Sequence, residues 1–191
     1  MTLPHCVRID ADDARSAQEL RADGWREIEI LETWLRNTDV SAHPAPQVES
    51  AKPSDMMACQ AIAAQAFKCD RLHSDPYVDP NEACQVKIDW VANAFKTAPG
   101  NIMVARDIDS QVEGFVIMKP EGVNTLIDLI AVHPDRQRHG VARRLIAAVM
   151  NCAYNKAAIV AGTQEANTAG RNTYRNCGFR IIKRQRTFHK S

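Results

Sequence analysis

The chain has 191 residues, 45% hydrophobic and 25% charged, with a net charge of +1. This is the composition of a folded globular protein, and it excludes a disordered chain, a collagen-like repeat and a disulfide scaffold. A net charge near zero also excludes a global field drawing the protein onto nucleic acid or anionic lipid, so any anion site is local.

No apolar run approaches the roughly 18 residues of a membrane span. The N-terminal MTLPHCVRIDADDAR has no apolar stretch of the kind a secretory signal needs. Cys6, Cys59, Cys69, Cys84, Cys152 and Cys177 are scattered singly, without a CxxC pair. That usage predicts reduced thiols in a cytoplasmic protein and no zinc site.

In chain order, a short helix is expected over 12–22, then Gly24 and a strand over 25–35. The segment 37–54, with Pro44, Pro46 and Pro53, reads as a linker holding one short strand near 47–51. Ser54 or Asp55 can cap a helix to Phe67. A polar loop follows, Arg71-Leu72-His73-Ser74-Asp75-Pro76-Tyr77-Val78-Asp79-Pro80, and then a helix over 81–96. A hairpin pairs strands 101–106 and 112–118. Leu126–Val132 (LIDLIAV) reads as a strand buried on both faces. A helix over 140–155, a strand over 158–162, a helix over 168–176 closed by Gly178, and a strand over 179–189 complete the chain. This alternation predicts an α/β domain with a mixed sheet. An internal echo accompanies it: 15–37 and 171–191 both run helix, glycine, aromatic, strand, with Gly24-Trp25 matching Gly178-Phe179.

The sharpest chemical signal is Ile130-Ala131-Val132-His133-Pro134-Asp135-Arg136-Gln137-Arg138-His139-Gly140-Val141-Ala142-Arg143-Arg144. A strand passes through a basic turn into a helix start. Gly140 and Ala142 let a ligand approach the backbone. First-turn amides lack intrahelical acceptors and favour an anion, and Arg136, Arg138, Arg143 and Arg144 add charge. The arrangement suits a diphosphate. It is neither a P-loop nor a dinucleotide fingerprint, since GK[ST] and the three-glycine spacing are missing. The plainer alternative is a solvated arginine run around a turn glycine.

Gln137-Arg138-His139-Gly140-Val141-Ala142 fits [Q/R]-x-x-G-x-[G/A], and with the preceding LIAVHP and the element order it resembles the GNAT superfamily of N-acetyltransferases. The resemblance spans about 47–190. It implies the GNAT fold, a mixed sheet whose fourth and fifth family strands splay apart. It implies acetyl-CoA as cosubstrate and no metal. Amides of Ile130, Ala131 and Val132 would meet the thioester and pantetheine. Those of Arg138, His139, Gly140, Val141, Ala142 and Arg143 would hold the pyrophosphate, and Gln137 would also bind the cosubstrate. Asn167 would touch pantetheine, and Tyr174, two helical turns on, would protonate the departing thiolate. The plainer reading of Tyr174 is a core aromatic.

The stretch Arg71-Leu72-His73-Ser74-Asp75-Pro76 followed by Trp90-Val91-Ala92-Asn93 resembles dTDP-fucosamine acetyltransferases, with Lys87 departing from an expected aromatic. That resemblance implies Arg71, His73, Asp75 and Trp90 as acceptor-binding residues and a nucleotide sugar carrying a 4-amine as partner, with neither nucleic acid nor membrane involved. It also implies a truncated N-terminal half-GNAT unit over 1–40, a linker over 41–53 and the acetyl-CoA-dependent domain over 54–191. Another small amine, a protein α-amine, and a non-catalytic acyl-CoA-binding regulator stay open, as does a homodimer. A solvated Asp-Pro turn is the plainer reading of the loop. His73, His133, His139 and Asp128 are the candidate proton acceptors. Arg180, Lys183, Arg184, Arg186 and Lys190 read either as a solvated face or as a field for anionic ligands.

Overall fold

The computed structural model describes residues 3–39, 41–153 and 155–190. The elements are β1 (His5–Asp10), α1 (Ala14–Ala22), β2 (Arg26–Asn37), β3 (Val48–Ser50), α2 (Met56–Ala66), α3 (Pro80–Thr97), β4 (Ile102–Arg106), β5 (Val112–Glu121), β6 (Asn124–Val132), α4 (Val141–Cys152), β7 (Ala158–Gln164), α5 (Thr168–Asn176) and β8 (Arg180–Lys190). Every expected element is present within a few residues. β1 is an addition: HCVRID is short and mostly exposed, so it carries too little alternation to announce a strand. β5 runs through Pro120 rather than stopping at Met118. Pairing with β4 ends at Ile117, so beyond it the absent proline N–H leaves no bond unmade on that flank.

The chain forms two compact units. One comprises Leu35–Phe67 and Cys84–Ala161. Its strand order is β3-β4-β5-β6-β7, antiparallel except for the parallel β6–β7 pair. This makes a mixed sheet. Its core joins Cys59, Ile62 and Ala63 of α2 and Val91 and Ala94 of α3 to Phe115, Ile117, Leu129 and Ala131. On the opposite side α4 packs closely at Gly114, where an added Cβ would lie 2.7 Å from the Ala131 carbonyl and 3.1 Å from Val141.

β6 corrects one expectation. Burial alternates along it, with Thr125, Ile127, Leu129 and Ala131 buried and Leu126, Asp128, Ile130 and Val132 half-buried. The apolar run therefore covers one buried face and one half-covered face. The register also slips: Ile117 faces Leu129 but Met118 faces Ile127, leaving Asp128 as a bulge.

The other unit comprises the chain to Trp34, Lys68–Ala83 and the chain from Gly162. β8 lies between β1 and β2, and β1 pairs with it antiparallel. Here the internal echo becomes a repeat in register, its paired positions 154 residues apart. Asp13 and Asn167 cap helices of nine residues, their side chains accepting from the amides of Ser16 and Gly170. Gly24 and Gly178 both hold φ +80°. The Trp25 amide donates to Leu20 and the Phe179 amide to Tyr174, each at 3.0 Å. The Ala11 amide donates to the Arg184 carbonyl at 3.0 Å, and its mate Glu165 donates to Ile30 at 2.9 Å.

Candidate active site

The parallel pairing of β6 with β7 runs from Thr125–Ile159 to Ile127–Ala161 and stops there. From Asp128 to Val132 that edge of β6 therefore presents main-chain donors and acceptors outside the ladder, on the residues expected to meet pantetheine. A turn over 134–136 leads into α4. In it Arg138 adopts φ +67° and Gly140 φ +79°. Left-handed backbone costs a non-glycine residue about 1 kcal/mol or more, so Arg138 is held there by its surroundings, a feature that clusters at ligand sites. A Cβ built on Gly140 meets nothing within 4 Å. Open space above the first-turn amides of α4 is the cradle that a pyrophosphate would fill, and the residues fit acetyl-CoA on that ground.

Not every arginine serves that field. Arg144 turns back to ion-pair with Glu113 and reaches Gln47 at 3.2 Å. Arg136 binds Asp107 at 3.1 Å. Arg138 and Arg143 stay exposed at the helix start. The C-terminal basic run is similarly committed. Arg184 pairs with Glu32 and Glu165, Arg186 with Glu27, and Lys190 donates to the Asp23 carbonyl. Arg180 and Lys183 are exposed, as a solvated face would have them.

Gly140→Val should weaken acetyl-CoA at least tenfold, about 1.4 kcal/mol. A β-branched residue is strained at this φ and its methyls enter the cradle. Calorimetric titration checks this, and unchanged affinity in a folded variant would remove the cradle.

Asn167 caps α5, its Oδ1 accepting from Gly170 and its Nδ2 donating to Thr163 Oγ1, each at 3.0 Å. Tyr174 lies in the same unit, 4% exposed, with its ring 6.2 Å from Trp34 and 5.3 Å from Phe179. Burial, with the nearby Cys177, raises the phenol well above its ordinary value, so it stays protonated. Two of the expected residues are thus on one helix, one at its cap and one in its packed face.

The loop is built rather than solvated. The Asp75 side chain is wholly buried. It accepts from His189 Nδ1 at 2.8 Å, from Arg26 and from the Tyr77 amide. Burial alone would raise Asp75, but these donors hold it below the usual carboxylate range. Arg71 Nη1 meets the other nitrogen of His189 at 3.2 Å, and burial lowers that imidazole despite Asp75. Asp70 holds His73 Nδ1 at 2.6 Å. Arg26 stacks on exposed Tyr77, its guanidinium 4.2 Å from the ring centre.

Trp90 belongs to the other unit. Its indole donates to Asp128 at 2.8 Å, and Lys119 pairs with the same carboxylate at 2.7 Å. Lys87 is buried, its ammonium 5.0 Å from the Trp90 ring and 5.1 Å from Phe67. The departure from an aromatic is thus a cation placed against two aromatics. His133 Nδ1 accepts from the Asp135 amide, and His139 Nδ1 meets the Gln137 carbonyl.

Two carboxylates of β2 escaped the sequence reading. Glu32 is 0% exposed and bound by Arg171 at 2.9 Å. Glu29 accepts from Thr187 at 3.3 Å through Oε1, while its buried Oε2 has no hydrogen-bond partner. Burial raises Glu29 from 4.5 to about 6, against the opposing charge of Arg8 and with help from Asp70. Its strand alternates charged and apolar residues, a pattern that reads as an ordinary solvated face. Because the folded pKa lies above the unfolded one, the protonated form favours folding and stability is lost as pH rises through about 6. Glu29→Gln should match the natural protein's stability near pH 4 and exceed it by up to about 2 kcal/mol at pH 8. Denaturant melts at both pH values check this, and an unchanged difference between them would refute the burial.

Among the described residues, no group of three or more His, Cys, Asp or Glu is placed to hold a metal. No helix there is long and apolar enough to cross a membrane. None of the six cysteines forms a disulfide.

The family model described as an acetyltransferase (GNAT) domain matches residues 98–181. The architecture is the GNAT fold. A GCN5-related N-acetyltransferase from Sphaerobacter thermophilus is similar, with TM-score 0.71 and 16% identity over 98% of this chain and 60% of that one. A GNAT-family acetyltransferase from Colwellia psychrerythraea gives 0.62 at 12% identity over 97% and 64%. A tandem GNAT protein from the clavulanic acid biosynthesis pathway gives 0.62 at 14% over 97% and 63%. The chain thus spans less than two thirds of each of these structures. No curated protein matches the sequence.

Proposed function

We propose that the protein transfers acetyl from acetyl-CoA to the 4-amine of a dTDP-linked 4-amino-4,6-dideoxyhexose, by direct attack in a ternary complex. The transferase part is carried by one observation, the β6 edge that runs into the left-handed Arg138 and Gly140 at the start of α4. The amides of Ile130 to Val132 and of Gln137 to Arg143 orient the cosubstrate, and Arg138 and Arg143 supply charge. Asn167 contributes at the start of α5. Bound acetyl-CoA supplies an activated thioester. Tyr174 holds a proton for the leaving sulfur.

The acceptor class is supported by the loop motif and by its fixed geometry. Arg71 and His73 meet the sugar nucleotide. Asp75 acts by holding the loop, and Trp90 offers an indole edge locked by Asp128. Residues 1–40 serve as a half-GNAT unit, which the 154-residue repeat supports. In that half Leu20 stands where Tyr174 does, and Asp13 where Asn167 does. It therefore lacks the proton donor, and one acetyl-CoA per chain is the expected stoichiometry. The reading places the protein in the cytoplasm, acting on a small molecule rather than on nucleic acid or a membrane.

A binding-only role draws on the packed position of Tyr174. A panel of nucleotide-linked amino sugars, simple amines and peptides, incubated with acetyl-CoA and read by mass, separates the readings. Acetylation of the sugar nucleotide is expected, and binding without any transfer would favour the regulator. Arg71→Ala should raise the acceptor KM about tenfold and leave the acetyl-CoA Kd unchanged. Equal weakening of both ligands would make the loop structural only.

A further inference from the structure

We infer that Lys119 is acetylated in cis when acetyl-CoA binds, because its ammonium occupies the subsite that Asp128 and Trp90 form for an acceptor's amine. This rests on the acetyltransferase reading above. Every residue involved lies in the compact unit of Leu35–Phe67 and Cys84–Ala161. Asp128 is the bulge of β6, and its side chain is 8% exposed. A bulge re-aims a side chain out of the pleat its neighbours follow. Here Trp90 of α3 meets it, the indole Nε1 donating to Oδ2 at 2.8 Å. The same oxygen receives Lys119 Nζ at 2.7 Å. That ammonium also lies 5.6 Å from the centre of the Trp90 ring. A carboxylate beside an indole is the pair of groups that recognises a primary ammonium ion, by charge-assisted hydrogen bonding and by cation–π attraction.

Its place on β6 gives this pair a chemical meaning. Pairing with β7 ends at Ile127, so Asp128 is the first residue of the free edge on which Ile130 to Val132 are proposed to hold the thioester. Lys119 stands opposite Leu126 on the neighbouring strand β5. Its amine thus ends on a carboxylate two residues from Ile130. The contact is also loose enough to exchange. The Lys119 side chain is 52% exposed, and an ion pair with so exposed a partner is held weakly. The buried Lys87 places a second ammonium 5.0 Å from the same indole, and like charge at one ring weakens the hold further. Lys52 makes the contrast. Its partner Glu49 is 47% exposed and stands on β3, at the far edge of the sheet, as in an ordinary surface pair.

The step balances. Lys119 leaves Asp128 and gives its ammonium proton to solvent. The freed nitrogen lone pair forms the N–C bond to the acetyl carbonyl carbon, and the C–S bond breaks. The second proton lost from nitrogen goes to the departing sulfur. The products are the amide on Lys119, the thiol of coenzyme A and one proton released. Acetylation removes the charge that paired with Asp128, so the carboxylate and the indole are left for the ammonium of an external acceptor.

The test uses the full chain with acetyl-CoA and no added acceptor. Peptide mass mapping follows acetyl incorporation at each lysine over time. Lys119 should be labelled about tenfold or more faster than the exposed Lys52, the advantage of a held amine over a free one, at a fractional rate independent of protein concentration. Butylamine, which reproduces the end of a lysine side chain, should slow that labelling and become acetylated itself. Asp128→Asn keeps the shape of the side chain and removes its charge. It should slow Lys119 labelling about tenfold and leave the acetyl-CoA Kd unchanged. Labelling of Lys119 no faster than that of Lys52, labelling that butylamine does not slow, or labelling unaltered in Asp128→Asn overturns the proposal and leaves Lys119 as the charge that neutralises Asp128. If amines of the panel are acetylated and Lys119 is not, this role alone fails. If neither is acetylated while acetyl-CoA binds, the transferase reading fails first and takes this role with it.

Discussion

Tyr174→Phe is expected to lower kcat by about 10²–10⁴-fold, the usual contribution of a positioned general acid. Attack of a neutral amine on the thioester ends in expulsion of a thiolate, and that sulfur needs a proton as the bond breaks. The phenol keeps its proton at neutral pH because burial disfavours the phenolate. A group that stays protonated until sulfur becomes basic serves as a donor. Phenylalanine preserves the ring packed on Trp34 and Phe179 and removes only the hydroxyl. Acetyl-CoA affinity and melting temperature should therefore hardly change. Single-turnover measurement places the loss in the chemical step, where slow product release cannot hide it. A near-normal single-turnover rate would make Tyr174 a packing residue.

What the sequence disclosed follows from how local each signal is. α5 was readable to its ends, because Asn167 caps it and Gly178 supplies the left-handed turn behind it. The same glycine and aromatic at Gly24-Trp25 made the echo legible in the sequence, whereas the matching cap at Asp13 is seen only in the fold. β1 was not readable, because its strand character comes from β8 alongside and not from its own six residues. The bulge at Asp128 depends on the register of β5 against β6, which no window of one strand contains. The glycine of the cradle was visible, but left-handed Arg138 was not, since its residue type argues against that conformation. The charges were least readable. Arg144 and Arg136 looked alike to Arg138 and Arg143 until Glu113 and Asp107 were found beside them. Glu29 looked solvated, but burial and the charge of Asp70, some forty residues on, raise it.

Asp75→Ala should have the largest effect on stability, about 3 kcal/mol, the scale set by removing one partner of a buried charge pair. Its carboxylate joins three segments: His189 on β8, Arg26 on β2 and the Tyr77 amide within the loop. Alanine leaves the buried imidazole proton without an acceptor and the Arg26 guanidinium without its carboxylate partner. A loss of this size lowers Tm by about 6–12 °C in a chain of this length. The lock also has a pH sign. Asp75 is held ionised, with a folded pKa below the unfolded one, and His189 is held neutral, also below its unfolded value. Both contributions are present above the unfolded pKa values and are lost as pH falls, first through His189 below about 6.5 and then through Asp75. The gap in melting temperature between the natural protein and Asp75→Ala should therefore persist from pH 8 down to about pH 4 and close only below that, as Asp75 itself takes a proton. Arg71→Ala, at the outer end of the same network, should alter acceptor KM far more than Tm. A melting temperature of Asp75→Ala equal to that of the natural protein at pH 8 would show that the loop stands without its lock.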